Sequence, residues 1–268
     1  MEIRVKLNWL QHNLPDGLLA DAAWLERHRF SSSLRSKYVR HGWLDQPARG
    51  VYRRPPACLA ARGEKGLRWQ SVVISLQSLL GFAVAVGGRS ALEQQGFAHY
   101  LASAGPREVH LYSDEILPGW VSKLKLDTRF VFHNAKRLFS GSNSAQGSLI
   151  RQPWGNSERP ILMSGPERAI LEMLDEVPRR ETFHQADVLM EGLRNLSPRR
   201  LQTLLAGCRS VKVKRLFLWF AERHNHAWLK KLDLSGIDLG RGKRMLVRGG
   251  KLDTKFNITV PGNLDAGR

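Results

Sequence analysis

The chain has 268 residues, of which 42% are hydrophobic, and its 42 Lys and Arg against 24 Asp and Glu give a net charge of +18. So basic a chain attracts polyanions, which favours a nucleic-acid partner. Its longest apolar run, residues 79–86, is too short to span a bilayer, and Cys58 and Cys208 stand far apart in no metal-binding spacing. These features exclude a membrane helix and a disulfide framework, and without a secretory signal we expect a cytoplasmic protein.

Residues 1–57 contain three short helical patterns. The first is "VKLNWLQHN", and the second, "LLADAAWLERH", places Leu18, Ala22 and Leu25 on one face. The third begins in the serine run, where Ser31 or Ser32 is the expected N-cap, and ends at Gly42 in a left-handed conformation. Two helices followed by this third one predict a helix-turn-helix.

The third helix has an inner and an outer face by its spacing. Leu34, Tyr38 and His41 are expected to face inward, with Arg35 at the flank. The outer face presents hydroxyl groups and cations without an acid, and consists of Ser32, Ser33, Ser36, Lys37 and Arg40. Arginine suits guanine and phosphate, and serine adapts to several base edges, so this face is typical of a DNA recognition helix.

A short hairpin follows in "GWLDQPARGVYRRP". Strands are expected at residues 43–44 and 51–53, with Arg49 near the tip and Arg53 and Arg54 on the return. A hairpin in this place is a wing, which contacts the DNA backbone or minor groove. The alternative is that the winged fold serves protein interaction and that the aromatic residues of the hairpin are only core.

The segment from Pro55 to Gly66, with two prolines and two glycines, predicts a linker at residues 58–66 after a domain at 1–57. Residues 67–262 then form a larger domain, with a possible seam near 140–160. Helices are expected in "RWQSVVISLQSLLGF" and "VGGRSALEQQG", and half-buried strands in "REVHLYS" and "RFVFHNA". The fold class predicted is therefore α+β, an N-terminal winged helix-turn-helix followed by a mixed α+β domain.

Later segments carry helix-start signals. Ser164 with Glu167 predicts a capping box, and Ser197 before Pro198 predicts a second helix start. "VKVKRLFLWFAERH" places Val213, Leu216, Phe217 and Phe220 on one helical face, and "KRMLVRG" and "KFNITV" are expected as strands of a terminal hairpin.

A second basic centre lies in residues 209–251, which hold twelve Lys and Arg against three acids. The cations singled out there are Lys212, Lys214, Arg215, Arg241, Lys243, Arg244 and Arg248. The sequence alone leaves open whether they contact DNA, RNA or a protein partner.

Signals for catalysis are weak. His224 and His226 supply two imidazoles where a metal site needs three or four donors, and Gly87-Gly88 lacks the residues of a phosphate loop. We predict no catalytic residue, no metal and no cofactor. The alternative is a nucleic-acid-processing enzyme, such as a nuclease subunit, which the winged module targets.

Four segments in order, "SSSLRSKYVRHGWLDQPARGVYRRP", "GGRSALEQQGFAHYL", "SGPERAILEML" and "RGKRMLVRGGKLDTKFNITVP", resemble the AbiEi-type antitoxins of bacterial type IV toxin–antitoxin systems. The resemblance implies a winged helix that binds inverted repeats in double-stranded DNA of its own promoter and represses the operon. It also implies a C-terminal domain that neutralises a nucleotidyltransferase-like toxin without a lasting complex, and it places DNA contact on the third helix and wing. An RNA-binding module that shields the toxin's substrate is a further alternative.

Overall fold

The computed structural model describes residues 2–55, 66–97, 107–140, 147–154, 157–262 and 264. Contacts group the chain into two compact units. The first contains Met1–Val84, Glu115–Phe130 and Pro153–Ile161, and the second contains Ala85–Asp114, Val131–Gln152 and Leu162–Arg268. The predicted 58–66 linker lies outside the described residues except for Gly66, and residues 66–84 group with the winged-helix residues.

The N-terminal elements are α1 (Glu2–Asn13), β1 (Leu19–Asp21), α2 (Ala22–Arg27), α3 (Ser32–Arg40), β2 (Asp45–Ala48), β3 (Val51–Arg53) and α4 (Trp69–Ile74). A π-helical turn over Ser75–Leu79 continues α4. The three strands form an antiparallel sheet in the order β1-β3-β2. This is the arrangement of a winged helix-turn-helix, with β2 and β3 as the wing.

The second helical pattern was predicted to begin at Leu18, and this is wrong. Leu19–Asp21 is a strand, paired residue by residue with Val51–Arg53, and α2 begins only at Ala22. The Asp21 carboxylate accepts a hydrogen bond from the Trp24 backbone amide at 2.8 Å, which fixes the helix start. Pairing with a strand about thirty residues further along the chain overrides the local helical spacing.

The winged helix has a core of leucines and aromatic rings. Its fully buried members include Leu10, Leu14, Leu25, Phe30 and Tyr38. The Tyr38 ring meets Phe30 edge-on, with ring centroids 6.1 Å apart. Such packing holds α3 against α1 and α2 and leaves its opposite face to solvent.

The first compact unit extends beyond the wing through α4 and the π-helical turn that continues it. Ser75, which is fully buried, accepts a hydrogen bond from the Leu19 backbone amide at 2.8 Å. The bond satisfies a buried donor at the edge of the three-stranded sheet. The elements that present α3 and the wing therefore include residues well beyond position 57.

The remaining strands are β4 (Val84–Val86), β5 (Glu108–Ser113), β6 (Arg129–Asn134), β7 (Leu149–Trp154), β8 (Ser157–Ser164), β9 (Lys251–Asp253) and β10 (Ile258–Val260). The first five form one sheet in the order β6-β5-β4-β8-β7, with β4 and β8 parallel. The stretch 140–160, predicted as a possible seam, contains all of β7 and the start of β8. β5, expected to be buried on one face, is buried along nearly its whole length because it lies inside the sheet.

The remaining helices are α5 (Gly88–Gln94), α6 (Pro166–Glu176), α7 (Phe183–Gly192), α8 (Pro198–Gly207) and α9 (Val211–Arg223), with 3-10 turns at Val121–Lys123, Ala135–Arg137 and Ala227–Lys231. α5 packs on α6, and a Cβ on Gly87 at the start of α5 would collide with Tyr112 and Glu172. This glycine is therefore required for close approach. Within the described residues, no helix is long and apolar enough to cross a bilayer.

The helix-start predictions have mixed outcomes. Ser197 caps α8, accepting from the Arg200 amide, as predicted. The Ser164 capping box is wrong, because β8 extends through Ser164 and Gly165 is the N-cap, without a side-chain bond. The Glu167 carboxylate instead accepts from the Ser197 backbone amide at 2.8 Å and so joins α6 to the start of α8.

The C-terminal hairpin differs from its prediction. β9 and β10 pair in antiparallel register, and "KRMLVRG" forms a loop with a single bridge from Arg244 to Ile258. The predicted inner face of α9 is confirmed, since Val213, Leu216, Phe217 and Phe220 are fully buried.

Candidate nucleic-acid interface

The outer face of α3 is exposed and basic. Ser31 caps the helix, its Oγ accepting from the Leu34 amide at 3.3 Å, and Gly42 lies just beyond its end with φ +72°. Five of the predicted contact residues are exposed on this face, namely Ser32, Ser33, Ser36, Lys37 and Arg40. His41 was predicted to face inward but is also exposed, because the helix has ended there and its ring contacts the Trp43 ring at the surface.

Arg35 does not belong to this surface. Its side chain is 5% exposed and donates to the Phe30 carbonyl at 2.7 Å and to the Glu26 carboxylate at 2.8 Å. The guanidinium also lies 5.6 Å from the centre of the Tyr52 ring. Burial lowers the pKa of Arg35, but the bonds to Tyr52 and Glu26 outweigh this and raise it. The predicted DNA contact is corrected to a structural bond between α2, α3 and the wing.

The wing presents Arg49 but not the two arginines on its return. Arg49 is exposed beside Gly50, whose φ of +77° allows the tight turn. Arg53 is 12% exposed and pairs with Asp45 across the wing at 2.8 Å. Arg54 pairs with Asp16 at 2.6 Å and also donates to the Leu14 carbonyl. Both predicted DNA contacts are thus engaged by other parts of the fold, because Arg53 joins β3 to β2 and Arg54 joins the wing to the Gln11 carbonyl of α1 and to the turn after it.

The positions of the carboxylates in the winged helix explain which of its cations are left without an ion pair. Glu26, Asp45 and Asp16 pair with the three arginines above, and Asp21 caps α2. No other acid occurs among the residues between 3 and 55. The exposed cations of α3 and the wing tip therefore face solvent without a compensating negative charge in the described part of this segment.

Two further cations extend this surface and were missed from the sequence. Arg27 is exposed at the last position of α2, and Arg29 is exposed in the turn between α2 and α3, with a left-handed backbone of φ +64°. Their position just before α3 is the signal that could have identified them, because in helix-turn-helix proteins the helix that precedes the recognition helix crosses the DNA backbone. We call Arg27, Arg29, Lys37, Arg40 and Arg49 the winged-helix cations.

The second basic centre separates into two groups in the structure. Lys214 and Arg215 are buried in α9, and Lys212 is largely buried with its ammonium 2.9 Å from the Val177 carbonyl. Burial lowers the pKa of Lys212, which its contact with Asp175 partly offsets. These three are structural rather than a surface patch, whereas the loop residues Arg241, Lys243, Arg244 and Arg248 are exposed.

The two histidines of the "HNH" triplet are also part of the fold. The His224 Nε2 lies 2.7 Å from an oxygen of Asp187, an acid that the sequence did not place there, and Nε2 of His226, which is 5% exposed, lies 2.7 Å from the Met190 carbonyl. The burial of His226 places it inside the fold rather than at a solvated helix end. Among the described residues, no group of three His, Cys, Asp or Glu could hold a metal ion.

A buried polar cluster in the second unit was not predicted. Nδ1 of His110 lies 2.9 Å from Nε2 of His133, and Nε2 of His110 lies 3.9 Å from Glu181, which Arg89 also approaches at 3.4 Å. Burial lowers the pKa of His110 to about 4 and raises that of Glu181 to about 7. These residues come from four separate segments, so no local pattern in the sequence indicates that they meet. Such shifts occur in functional sites and in structural networks alike.

Fold and surface together define a protein of the winged-helix class, in which a helix with a basic outer face precedes a larger α+β part. Comparison with known families shows that it is a transcriptional regulator and specifies the kind. Residues 3–103 match the family described as "Transcriptional regulator, AbiEi antitoxin N-terminal domain", and residues 106–261 match "Transcriptional regulator, AbiEi antitoxin, Type IV TA system". The chain belongs to the AbiEi antitoxins of type IV toxin–antitoxin systems, as the sequence resemblance indicated.

A solved structure with a similar fold is the RV2827C protein from Mycobacterium tuberculosis. The two chains are 15% identical, with a TM-score of 0.58 over 94% of this chain and 89% of that chain. At this identity the likeness concerns the fold alone. No curated protein matches the sequence.

Proposed function

We propose that this chain represses its own operon by binding inverted repeats in double-stranded DNA, and that it counteracts a nucleotidyltransferase-like toxin. The observation that carries the DNA-binding part is the distribution of charge on the winged helix. Its carboxylates are occupied by structural partners, while α3 and the wing tip expose cations and hydroxyl groups on consecutive elements.

Each part of this surface has a role in the proposal. Ser32, Ser33, Ser36 and Arg40 on α3 contact base edges in the major groove, because hydroxyl groups and guanidinium groups match donors and acceptors there. Lys37, Arg27 and Arg29 contact phosphates, and Arg49 contacts the backbone or minor groove beside the helix. Arg35, Arg53 and Arg54 support the surface from within.

The experiment compares a duplex from the chain's own upstream region with a duplex of the same length and scrambled order. We expect the upstream duplex to bind at least tenfold more tightly at about 0.15 M salt. Arg40→Ala should reduce this preference about tenfold, because a lost base contact costs about 1–3 kcal/mol. Lys37→Ala should weaken both duplexes alike and make the fall in affinity with salt less steep.

The matched control is Lys230→Ala, which removes an exposed cation outside the winged helix. It should leave binding of the upstream duplex unchanged. Equal affinity for the two duplexes, or an equal loss in Lys230→Ala and Arg40→Ala, would overturn the repressor proposal.

The antitoxin part is tested by co-expression with a nucleotidyltransferase-fold protein encoded beside this gene. The full chain should restore growth that the toxin arrests, and Arg40→Ala should restore it too, because neutralisation is assigned to the C-terminal part. Failure of the wild-type chain to restore growth contradicts this part alone. The proposal also assigns binding without catalysis, so metal-dependent cleavage of DNA or RNA by the purified chain would contradict it.

A further inference from the structure

The exposed cations of the second basic centre lie on one loop with a fixed conformation. This basic loop, residues 239–250, is held by the guanidinium of Arg215, which is 3% exposed in α9. Arg215 donates to the carbonyl oxygens of Leu239 at 2.7 Å, Gly240 at 3.0 Å and Gly242 at 2.7 Å. Three bonds from one buried group to a short backbone stretch determine the path of that stretch.

The second half of the basic loop is held from β10. The Thr259 hydroxyl accepts from the backbone amides of Leu246 at 2.8 Å and Val247 at 3.1 Å. The backbone of Arg244 also bonds with β10 and the turn before it, its amide donating to the Asn257 carbonyl at 2.9 Å. A surface loop anchored at both halves presents its side chains with little ordering cost on binding.

The charge on the basic loop is uncompensated. Arg241, Lys243, Arg244 and Arg248 are exposed, as is Lys251 directly after the loop, and they form no ion pair with any residue that the structure describes. The two nearby acids, Asp238 and Asp253, bond with backbone amides instead of with these cations. Asp238 accepts from the Gly240 amide and Asp253 accepts from the Phe256 amide, both at 2.8 Å. The loop therefore offers a row of cations on a fixed backbone.

A cavity of about 230 Å³ adjoins this row. Trp219 and Arg223 of α9 line it on one side, and Lys251 and Leu252 of β9 line it on another. Trp219 is half-buried, and the Arg223 guanidinium lies 5.9 Å from the centre of its ring. Asp253 also lines the cavity and adds an acceptor for an amino group.

We infer that the basic loop and the Trp219 cavity bind single-stranded nucleic acid, with a base in the cavity and the phosphates along the loop. An aromatic ring beside a row of cations is the arrangement by which proteins hold unpaired strands. A paired base is stacked inside its duplex and cannot enter the cavity without being extruded, whereas an unpaired base can. An acidic protein partner would pair with the cations, but it would not account for the aromatic cavity beside them.

The test uses the full chain carrying Lys37→Ala and Arg40→Ala, so that binding by the winged helix does not obscure the result. Fluorescence anisotropy is measured with a mixed-sequence oligonucleotide of about twelve nucleotides as RNA, as single-stranded DNA, and as the corresponding DNA duplex. We expect both single strands to bind at least tenfold more tightly than the duplex. A preference between RNA and DNA then identifies which strand is the natural source of the ligand.

Three variants locate the site. Trp219→Leu should weaken single-strand binding about tenfold, and Trp219→Phe should retain most of it because the ring remains. Arg244→Glu with Arg248→Glu should also reduce the slope of log affinity against log salt by about 1.4, since two phosphate contacts are lost. The matched control is Arg199→Glu with Lys230→Glu, an equal charge change at exposed residues outside the loop.

The loop variant keeps the inference testable if Trp219→Leu does not fold, because Arg244 and Arg248 are exposed. Equal affinity for duplex and single strands, or equal losses in the loop and control variants, would overturn the inference. Absence of binding to every oligonucleotide would also overturn it, leaving an acidic protein as the partner of the loop. None of these results bears on operator binding, which is measured with the wild-type winged helix.

Discussion

Arg35 illustrates how a cation within a basic helix can belong to the interior. Its place in the third helix of the winged helix is one at which the sequence predicts a DNA contact. In the structure, however, its side chain contacts Glu26, Phe30 and Tyr52. Arg40, on the same helix, is exposed and forms no hydrogen bond or ion pair with the residues that the structure describes. The two arginines differ in exposure because the neighbouring elements decide how much of a helix faces solvent. α2 and the wing cover the side of α3 that carries Arg35.

Replacing Arg35 tests this assignment. Arg35→Ala should lower the free energy of unfolding by about 2 kcal/mol, because it leaves the Phe30 carbonyl unpaired and removes the bond to Glu26. Arg40→Ala should change the free energy of unfolding by less than about 0.5 kcal/mol. Urea unfolding of the two variants measures both. A stable Arg35→Ala variant with reduced DNA affinity would restore Arg35 to the binding surface.

Glu181 makes the stability of the fold dependent on pH. Its raised pKa of about 7 results from burial, with the nearby acids Glu93 and Glu176 adding to the shift and Arg89 opposing it. An unfolded glutamate titrates near 4.3, so the folded chain holds a proton that the unfolded chain has released between these values. The stability that Glu181 contributes is thus present below about pH 4 and is lost as pH rises through about 7.

His110 acts in the opposite direction at lower pH. Its pKa of about 4 means that the unfolded chain binds a proton first, so its contribution is lost as pH falls from about 6.5 to 4. The two effects offset one another in weakly acidic solution. A net decline in stability is therefore expected from about pH 6.5, where His110 becomes neutral in both states, until Glu181 has lost its proton just above about pH 7.

Glu181→Gln should remove that decline. As the pH is raised from about 6 to about 8, the unfolding free energy of the variant should rise relative to that of the wild type by on the order of 1 kcal/mol. Asp127→Asn, at an exposed carboxylate, is the control. Chemical denaturation at several pH values measures the difference, and a difference that stays constant with pH would show that Glu181 does not titrate in this range.

At the scale of elements, the parts of the winged helix that depend on local chemistry were predictable. The start of α3 at a serine and its end near Gly42 follow from hydrogen bonding of the first amides and from backbone freedom at glycine. β1 was not predictable in this way, because its strand conformation depends on pairing with β3. The loop at "KRMLVRG" likewise follows from anchors in α9 and β10 rather than from its own alternation.

The cap of α3 allows a direct test of this local control. Ser31→Ala should lower the free energy of unfolding by about 1 kcal/mol, because the Leu34 amide loses its acceptor. Ser36→Ala, on the exposed face of the same helix, should change it by less than about 0.5 kcal/mol. Thermal unfolding of both variants provides the measurement, and equal effects would exclude a capping role for Ser31.

At the scale of the whole molecule, the net charge of +18 predicts a nucleic-acid partner but not where it binds. The sequence located two basic regions, and both expose cations in the structure. It could not separate Lys214 and Arg215, which are buried, from Arg244 and Arg248, which are exposed, because that division depends on packing. The candidate interface is therefore smaller and more sharply bounded than the basic segments themselves.

The pairing of Arg35, Arg53 and Arg54 with Glu26, Asp45 and Asp16 affects how this domain could be re-engineered. A library that seeks a new operator preference should vary the exposed positions of α3 and keep each arginine together with its acid. Transplanting the outer face of α3 onto another winged helix requires none of the three pairs. Transplanting the wing requires Arg53 with Asp45, since either one alone would leave an unmatched charge beside the strands.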